Sequence, residues 1–355
     1  LVASLATLLS IPPVAVMGRI SDIINREKLQ GIIGIGLASL SLIYLYANSL
    51  PHFLALHSAY IGLTSSYMTL SGAIAMDYIR TKRGTKFGKY RTSGAIGWIF
   101  STLLGGLTAD NMGFQSVFLL SSMFFLASAC LFGIGGLGKN RGERREKLKS
   151  RFHMRAFKQV LSNRAAYILY LSVFIAWIST PAYYTFLPLF MADAVGASKF
   201  VSSLAFSVTP FAEVPAMLYL GSLSDRIGRR KIIALCLAAY PVRYLWTASI
   251  WNPWLIIGAQ LLHGLTFGGL YVVSVSYLSE VVDEDSRGLA LSLYSIDSNV
   301  SRFIGNYLLG FVADNYGFVP MYYIAALISA FSVPIFVLMS RRDSNGHGDF
   351  FDPSH

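Results

Sequence analysis

"GSLSDRIGRRK", residues 221–231, sets five charges into eleven positions between two long apolar runs. A near copy, "GRISDIINREK", stands at 18–28. Shifting the chain by 203 residues aligns Gly18 with Gly221, Ser21 with Ser224, Asp22 with Asp225, Ile24 with Ile227, Arg26 with Arg229 and Lys28 with Lys231. The same shift sets Asp77 beside Glu280, and a shift of 204 sets "GLTADNMGF" (106–114) against "GFVADNYGF" (310–318). A repeat of this length is far longer than a solenoid unit and fits duplication of a multi-helix bundle.

Composition says what the bundle is dissolved in. Only 13% of residues are charged and 54% are hydrophobic, whereas soluble domains carry roughly 25% charged residues. A helix needs about 20 apolar residues to cross a bilayer. Runs of that kind are expected at 1–17, 29–47, 52–76, 92–109, 116–137, 165–191, 200–222, 232–250, 254–279, 287–312 and 319–339, eleven in all. Six belong to the second copy and five to the first, so the first helix of copy one is expected to precede residue 1. The fold class expected is therefore an all-α membrane protein of two six-helix halves, with eleven spans present. Its parts are an N-terminal half (1–137), a basic linker (138–164), a C-terminal half (165–340) and a tail (341–355). Cys130 and Cys236 fall inside spans without metal or redox spacing and read as small packing residues.

A net charge of +11 raises the question of nucleic acid. The location of the bases answers it: 26 of the 29 Lys and Arg lie in 18–28, 80–91, 138–164, 226–231, at 287 and at 341–342. These are alternate loops, while the opposite loops hold only Lys199. Such asymmetry marks the cytoplasmic face. The basic loops and the C-terminus are thus expected in the cytoplasm, the chain in an inner or plasma membrane, and no nucleic acid as partner.

The stretch at 221–231 resembles the loop signature of the major facilitator superfamily, G-x-L-x-D-R-x-G-R-R-K, at every specified position. The earlier copy departs from it at Ile23, Asn25 and Glu27. The resemblance covers the chain apart from the linker and tail, and it implies transport by alternating access. Physically, Gly221 and Gly228 permit a tight turn and close helix approach, and Asp225 can pair with a nearby arginine or accept from a helix N-terminus. By resemblance, Asp22 and Asp225 latch one state through cytoplasmic contacts. The gating set is Gly18, Asp22, Arg26, Asp77, Arg91, Gly221, Asp225, Arg226, Gly228, Arg229, Arg230 and Glu280.

Five ionisable groups fall within spans, and buried charges of that kind mark pathways or pairs. They are Glu213, Arg243, His263, Asp297 and Arg302, all in the second half. Two acids and two guanidiniums balance formally, so two structural ion pairs are one reading. Against it stands His263, a side chain that titrates near neutral pH. Glu213, Arg243 and His263 resemble the acid, arginine and histidine that the eighth, ninth and tenth helices supply in lactose permease-like, phenylpropionate permease-like and nucleoside permease-like carriers. "FGKYRTSGAIGW" (87–98) resembles that branch too. One departure is Thr266, where a sugar permease of this type carries a second acid. Separately, "SGAIGWIFSTLLGG" (93–106) holds no proline, so the Gly-Pro of the antiporter signature is missing, which weighs against drug export by proton exchange.

Glu213, His263 and Arg243 are therefore the proton-coupling candidates. Arg302, Asp297, Asn299, Tyr183, Tyr184 and Tyr67 are the candidates for touching a solute. Asp297 lies about 140° from Arg302 around a helix, so Arg302 either pairs with another helix or meets the solute. The function expected is H⁺ symport of a small polar solute such as a sugar, nucleoside or aromatic acid. A uniporter or exporter of an amphiphile is the alternative within transport, and a non-transporting sensor the alternative outside it. No nucleophile constellation, metal cluster or phosphate loop suggests an enzyme. H⁺ is the coupling ion, no cofactor is expected, and the partners are a lipid bilayer and a small solute for a chain acting as a monomer.

Overall fold

The computed structural model describes residues 25–78, 83–136, 159–283 and 286–344. Twelve helices frame them: α1 Arg26–Ile43, α2 Leu50–Tyr78, α3 Arg83–Met112, α4 Phe114–Gly136, α5 Arg164–Ile178, α6 Lys199–Ser207, α7 Thr209–Ile227, α8 Arg229–Ser249, α9 Pro253–Ala259, α10 Leu270–Val281, α11 Arg287–Tyr316 and α12 Phe318–Ser344. No strand occurs among the described residues. Among the described residues, seven helical stretches are long and apolar enough to cross a membrane: Arg26–Tyr46, Phe114–Gly133, Arg164–Ala194, Lys199–Ile227, Arg229–Ser249, Pro253–Val281 and Phe318–Ser340. Helices α2, α3 and α11 also coincide with expected spans but fall outside that set, and the expected span 1–17 lies outside the described residues. The chain divides into two compact units, Leu1–Leu148 with Ser198–Ser203, and Lys149–Ala197 with Leu204–His355.

In the first unit, Asn25 starts α1 by accepting the amides of Glu27 (2.8 Å) and Lys28 (3.2 Å) on its side chain, which satisfies donors a helix start leaves open. Helix α1 then packs on α4 and α2. The approach to α4 is close because a Cβ on Gly34 would stand 3.3 Å from the Phe125 carbonyl and 3.2 Å from Ala129 Cβ; small residues commonly line such crossings in membranes. Leu29, Ile33, Leu37, Leu70 and Ile74 form the core there, with Tyr67 and Phe125 against it. Cys130 is exposed, contrary to its reading as a packing residue, whereas Cys236 is buried.

The same unit shows what the first "ADN" does. The carboxylate of Asp110 accepts the amides of Lys199 (2.9 Å) and Phe200 (2.8 Å), capping α6 from another helix. Gly106 leaves the room, since a Cβ there would lie 2.7 Å from Ser203 Cβ. The Phe200 amide, then Ser198 and Lys199, hold the Asp110 carboxyl below its usual range. A depressed carboxyl contributes stability above its unfolded pKa that is lost as pH falls through its folded one. Asp110→Ala is expected to lower the melting temperature in detergent at neutral pH, with wild type and variant converging on acidification; parallel curves at all pH values sink this cap.

In the second unit, α5 packs on α11 and α12, and α8 on α12. Two expected spans are broken helices. The first stops at Ile178 and continues as single turns, Pro181–Tyr184 and Leu187–Leu189, then a π-helical turn, Phe190–Ala194. Pro181 and Pro188 lack the amide a continuous ladder needs. The second passes from α9 into a 3₁₀ turn (Gln260–Leu262) and a π-helical turn (Gly264–Gly269) before α10. Glycine explains this stretch, because α7 presses on it: a Cβ on Gly264 would lie 2.5 Å from the Ala212 carbonyl, and one on Gly268 2.9 Å from that of Glu213. π-Turns inside helices often sit at functional sites.

Candidate functional site

Arg243, in the middle of α8, is 2% exposed. Its guanidinium donates to Gln260 Oε1 from Nε (3.0 Å) and Nη2 (2.6 Å), and from Nη1 to His263 Nδ1 (3.0 Å) and Thr266 Oγ1 (3.1 Å). It also lies over the Tyr183 ring, 4.3 Å from the centroid, a favourable placement for a cation. Every one of these hydrogen bonds ends on an uncharged acceptor. Gln260, His263 and Thr266 are themselves buried and hang from the irregular turns of the second broken helix.

Arginine has no acceptor atom, so His263 must accept at Nδ1 and carry its proton on Nε2. A proton added at Nδ1 breaks that bond and sets two positive charges about 3 Å apart. The imidazole is boxed by Phe267 (5.3 Å, stacked), Tyr183 (4.9 Å) and Tyr184 (6.2 Å, edge-on). The crevice lined by Tyr183, Arg243, Tyr244, Gln260 and Tyr322 has no room for a water molecule.

Glu213 is half-buried on α7. Gly268 seats it, with a Cβ there standing 3.0 Å from Glu213 Cγ, and its charge is within electrostatic reach of Tyr183 and Tyr184. Tyr183 donates to Thr209 Oγ1 at 3.4 Å. Tyr184 is more exposed than Tyr183 and faces Arg302. On α11, Arg302 bonds within its own helix, to Asn299 Oδ1 (2.9 Å) and the Ser298 carbonyl (3.2 Å), and Asn306 accepts from Thr185 at 2.7 Å.

The structure thus brings Glu213, Arg243, His263, Tyr183, Tyr184, Arg302 and Asn299 into one neighbourhood of the second unit. The reading of two buried ion pairs fails for the α11 members. Arg302 bonds its own helix instead of a partner helix, and Asp297 Oδ2 is buried without a hydrogen-bond partner. Tyr67 belongs to the first unit, where its hydroxyl bonds Ser128 and its half-buried ring packs on Phe125 against the core.

The opening motif forms a turn and an ionic fork. Gly228, with φ +97°, lets α7 turn directly into α8, a conformation costly for other residues. Arg229 holds Glu280 through Nε and Nη2 (both 2.6 Å) and Asp225 through Nη2 (3.0 Å). Arg230 donates to the Ser340 carbonyl (3.2 Å), Arg226 is exposed, and Gly221 lies against Val272. With Asp225 62% and Glu280 55% exposed, the fork fixes geometry more than it stabilises; such pairs contribute about 0–1 kcal/mol. In the first copy, Arg26 opens α1. Gly18 and Asp22 lie outside the described residues, as do the side chains of Asp77 and Arg91.

Sequence reasoning missed Gln260 and treated Thr266 only as a lost acid. Both lie three residues from His263, one on each side, a spacing that in a regular α-helix puts all three on one face.

The MFS_1 like family model matches residues 1–324. The chain is 20% identical over 339 residues to the uncharacterized transporter YwbF of Bacillus subtilis (strain 168), covering 93% of this chain and 81% of that protein. It is 26% identical over 320 residues to multidrug resistance protein MdtG of Serratia proteamaculans (strain 568), covering 89% and 77%. Among solved structures, nucleoside transporter NupG superposes with a TM-score of 0.75 at 16% identity, over 96% of this chain and 89% of that one. A bacterial homolog to the human lysosomal transporter Spinster, inward-facing and unoccupied, gives 0.72 at 12% identity, over 98% and 91%. With its helical fold shared by solved transporters and the family model matched over nearly its whole length, the chain belongs to the MFS_1 like family and is a multi-pass membrane transporter of the major facilitator type.

Proposed function

We propose that this transporter moves a small polar solute by alternating access, in symport with H⁺, across an inner or plasma membrane with its basic loops in the cytoplasm. The observation that carries the reading is the bond from Arg243 to His263 Nδ1, 3.0 Å long and buried. Here the proton site is blocked by a permanent cation. Displacing α8 relative to the 260–269 turns frees Nδ1, so proton uptake and helix movement become one event. Glu213, the nearby acid, takes part in the exchange, and Arg243 tunes both.

The neighbourhood also suits a hydroxyl-bearing solute with a flat face. Tyr184 offers a ring, and Arg302, Asn299 and Glu213 offer donors and acceptors at fixed places on their helices. Nucleosides fit that description, and a nucleoside transporter shares the fold. Sugars and aromatic acids fit the polar groups equally. The relatives named for multidrug resistance support export of an amphiphile as the second reading.

The deciding experiment is uptake of labelled nucleosides, sugars and aromatic acids into proteoliposomes, with and without an imposed proton gradient. Accumulation that follows the gradient is expected for one class. In Glu213→Gln, gradient-driven accumulation is expected to vanish while counterflow continues within about a factor of ten, about 1.4 kcal/mol on a barrier. Intact accumulation in that variant removes Glu213 from the mechanism, and counterflow of amphiphiles alone favours the second reading.

A further inference from the structure

Asp297, a solute-contact candidate by sequence, is half-buried and lies one turn beyond Tyr294, whose ring meets Trp177 of α5 and Tyr271 of α10. Three donors around it are engaged elsewhere, and the Tyr294 hydroxyl, one turn away on the same helix, is buried without a hydrogen-bond partner of its own. The Tyr170 hydroxyl of α5 gives its proton to the Ala290 carbonyl (3.0 Å). Ser301 donates to the backbone carbonyl of Asp297 (2.7 Å), not to the carboxyl. Arg302, on the same helix, bonds Asn299 and Ser298. Oδ2 is left buried without a partner.

The titratable groups in electrostatic reach are Tyr170 from α5 and Tyr294 from the same helix. Behind Tyr294 stand Tyr271 of α10 and Cys236 of α8. The other elements against α11 are α12 and the Pro181–Tyr184 turn. Their titratable groups turn elsewhere, Tyr322 donating to the Ala182 carbonyl and Tyr184 facing Arg302. Among the described residues, no cationic side chain forms an ion pair with Asp297. An ionised carboxylate whose buried oxygen has neither donor nor cation is strongly disfavoured, more so within a bilayer. A bound proton removes the charge and supplies the missing donor.

We propose that Asp297 is a second proton-binding site of the transporter, separate from Glu213 and His263, and occupied in this conformation. The proposal rests on the symport reading for its role but not for its existence. One proton handled at Glu213 and His263 and one at Asp297 make two per solute.

The test measures proton and labelled-solute entry together in proteoliposomes of the full chain. In Asp297→Asn, which imitates the protonated acid, the proton-to-solute ratio is expected to halve, from two to one, with counterflow retained. An unchanged ratio with counterflow retained overturns the proposal. Should the variant lose counterflow too, labelling of the unaltered chain decides. A hydrophobic carbodiimide adds across the O–H of a protonated buried carboxyl, and its acyl shifts from oxygen to nitrogen with no leaving group, giving a stable N-acylurea. Mass spectrometry is expected to find that adduct on Asp297 at pH 7 and to see it fade as pH rises; no adduct there overturns the site. Label on Asp297 in a transporter whose solute uptake moves no protons overturns the symport reading and leaves the site standing.

Discussion

Arg243→Ala is expected to destabilise the protein by roughly 2–7 kcal/mol and to end gradient-driven transport. Four hydrogen bonds link the guanidinium to Gln260, His263 and Thr266. Polar bonds between membrane helices contribute about 0.6 kcal/mol each on average and up to about 1.7, which sets the range. The acceptors left behind are buried, and each stranded polar group adds about 1–3 kcal/mol of cost unless the helices relax or water fills the vacated space. Arg243→Lys separates charge from geometry. Lysine keeps the positive charge but lacks the planar fork that grips Gln260 twice, so most of the stability loss is expected to remain. Melting in detergent, followed by counterflow at a temperature where each variant is folded, tests both. A Lys variant with the wild-type melting temperature would mean that charge alone matters here.

The parts of this site that were legible in the sequence are those that violate the apolar background. Glu213, Arg243 and His263 announce themselves as ionisable groups in spans, and the structure sets the last two 3.0 Å apart. Arg229 and Glu280 were legible through the repeat, and they pair. Gln260 and Thr266 escaped because neutral polar residues in spans are common, and their role appears only when a third helix brings a guanidinium to them. Helix breaks were half legible. Pro181 and Pro188 stand in plain view, but the π-turn at 264–269 depends on how closely α7 presses on Gly264 and Gly268, a tertiary fact. For Tyr67 the sequence leaves open whether an aromatic in a span lines a cavity or fills a core, and its contacts with Ser128 and Phe125 are tertiary facts that no local pattern announces.

Gly305→Ala is the second change with a large expected effect, and it acts without removing a charged group. A Cβ at Gly305 would lie 2.0 Å from the Ile178 carbonyl oxygen and 3.1 Å from Pro181 Cδ. Neither neighbour is a side-chain end that can swing aside. The oxygen belongs to the last residue of α5, and the proline starts the turn carrying Tyr183 and Tyr184. Helix α11 must therefore back away from α5, at a cost of about 1–3 kcal/mol or more for overpacking. Because Tyr183 lies under the Arg243 guanidinium and against His263, the shift reaches the site as well. Loss of transport is expected even at temperatures where the variant is folded. Gly258→Ala is the control: it too lies in a helix, but nothing stands within 4 Å of the added atom, and alanine there gains helix propensity of about 0.5–1 kcal/mol. A lower melting temperature and lost counterflow in Gly305→Ala, with neither in Gly258→Ala, tie transport to the α5–α11 approach. Equal behaviour of the two variants disproves that link.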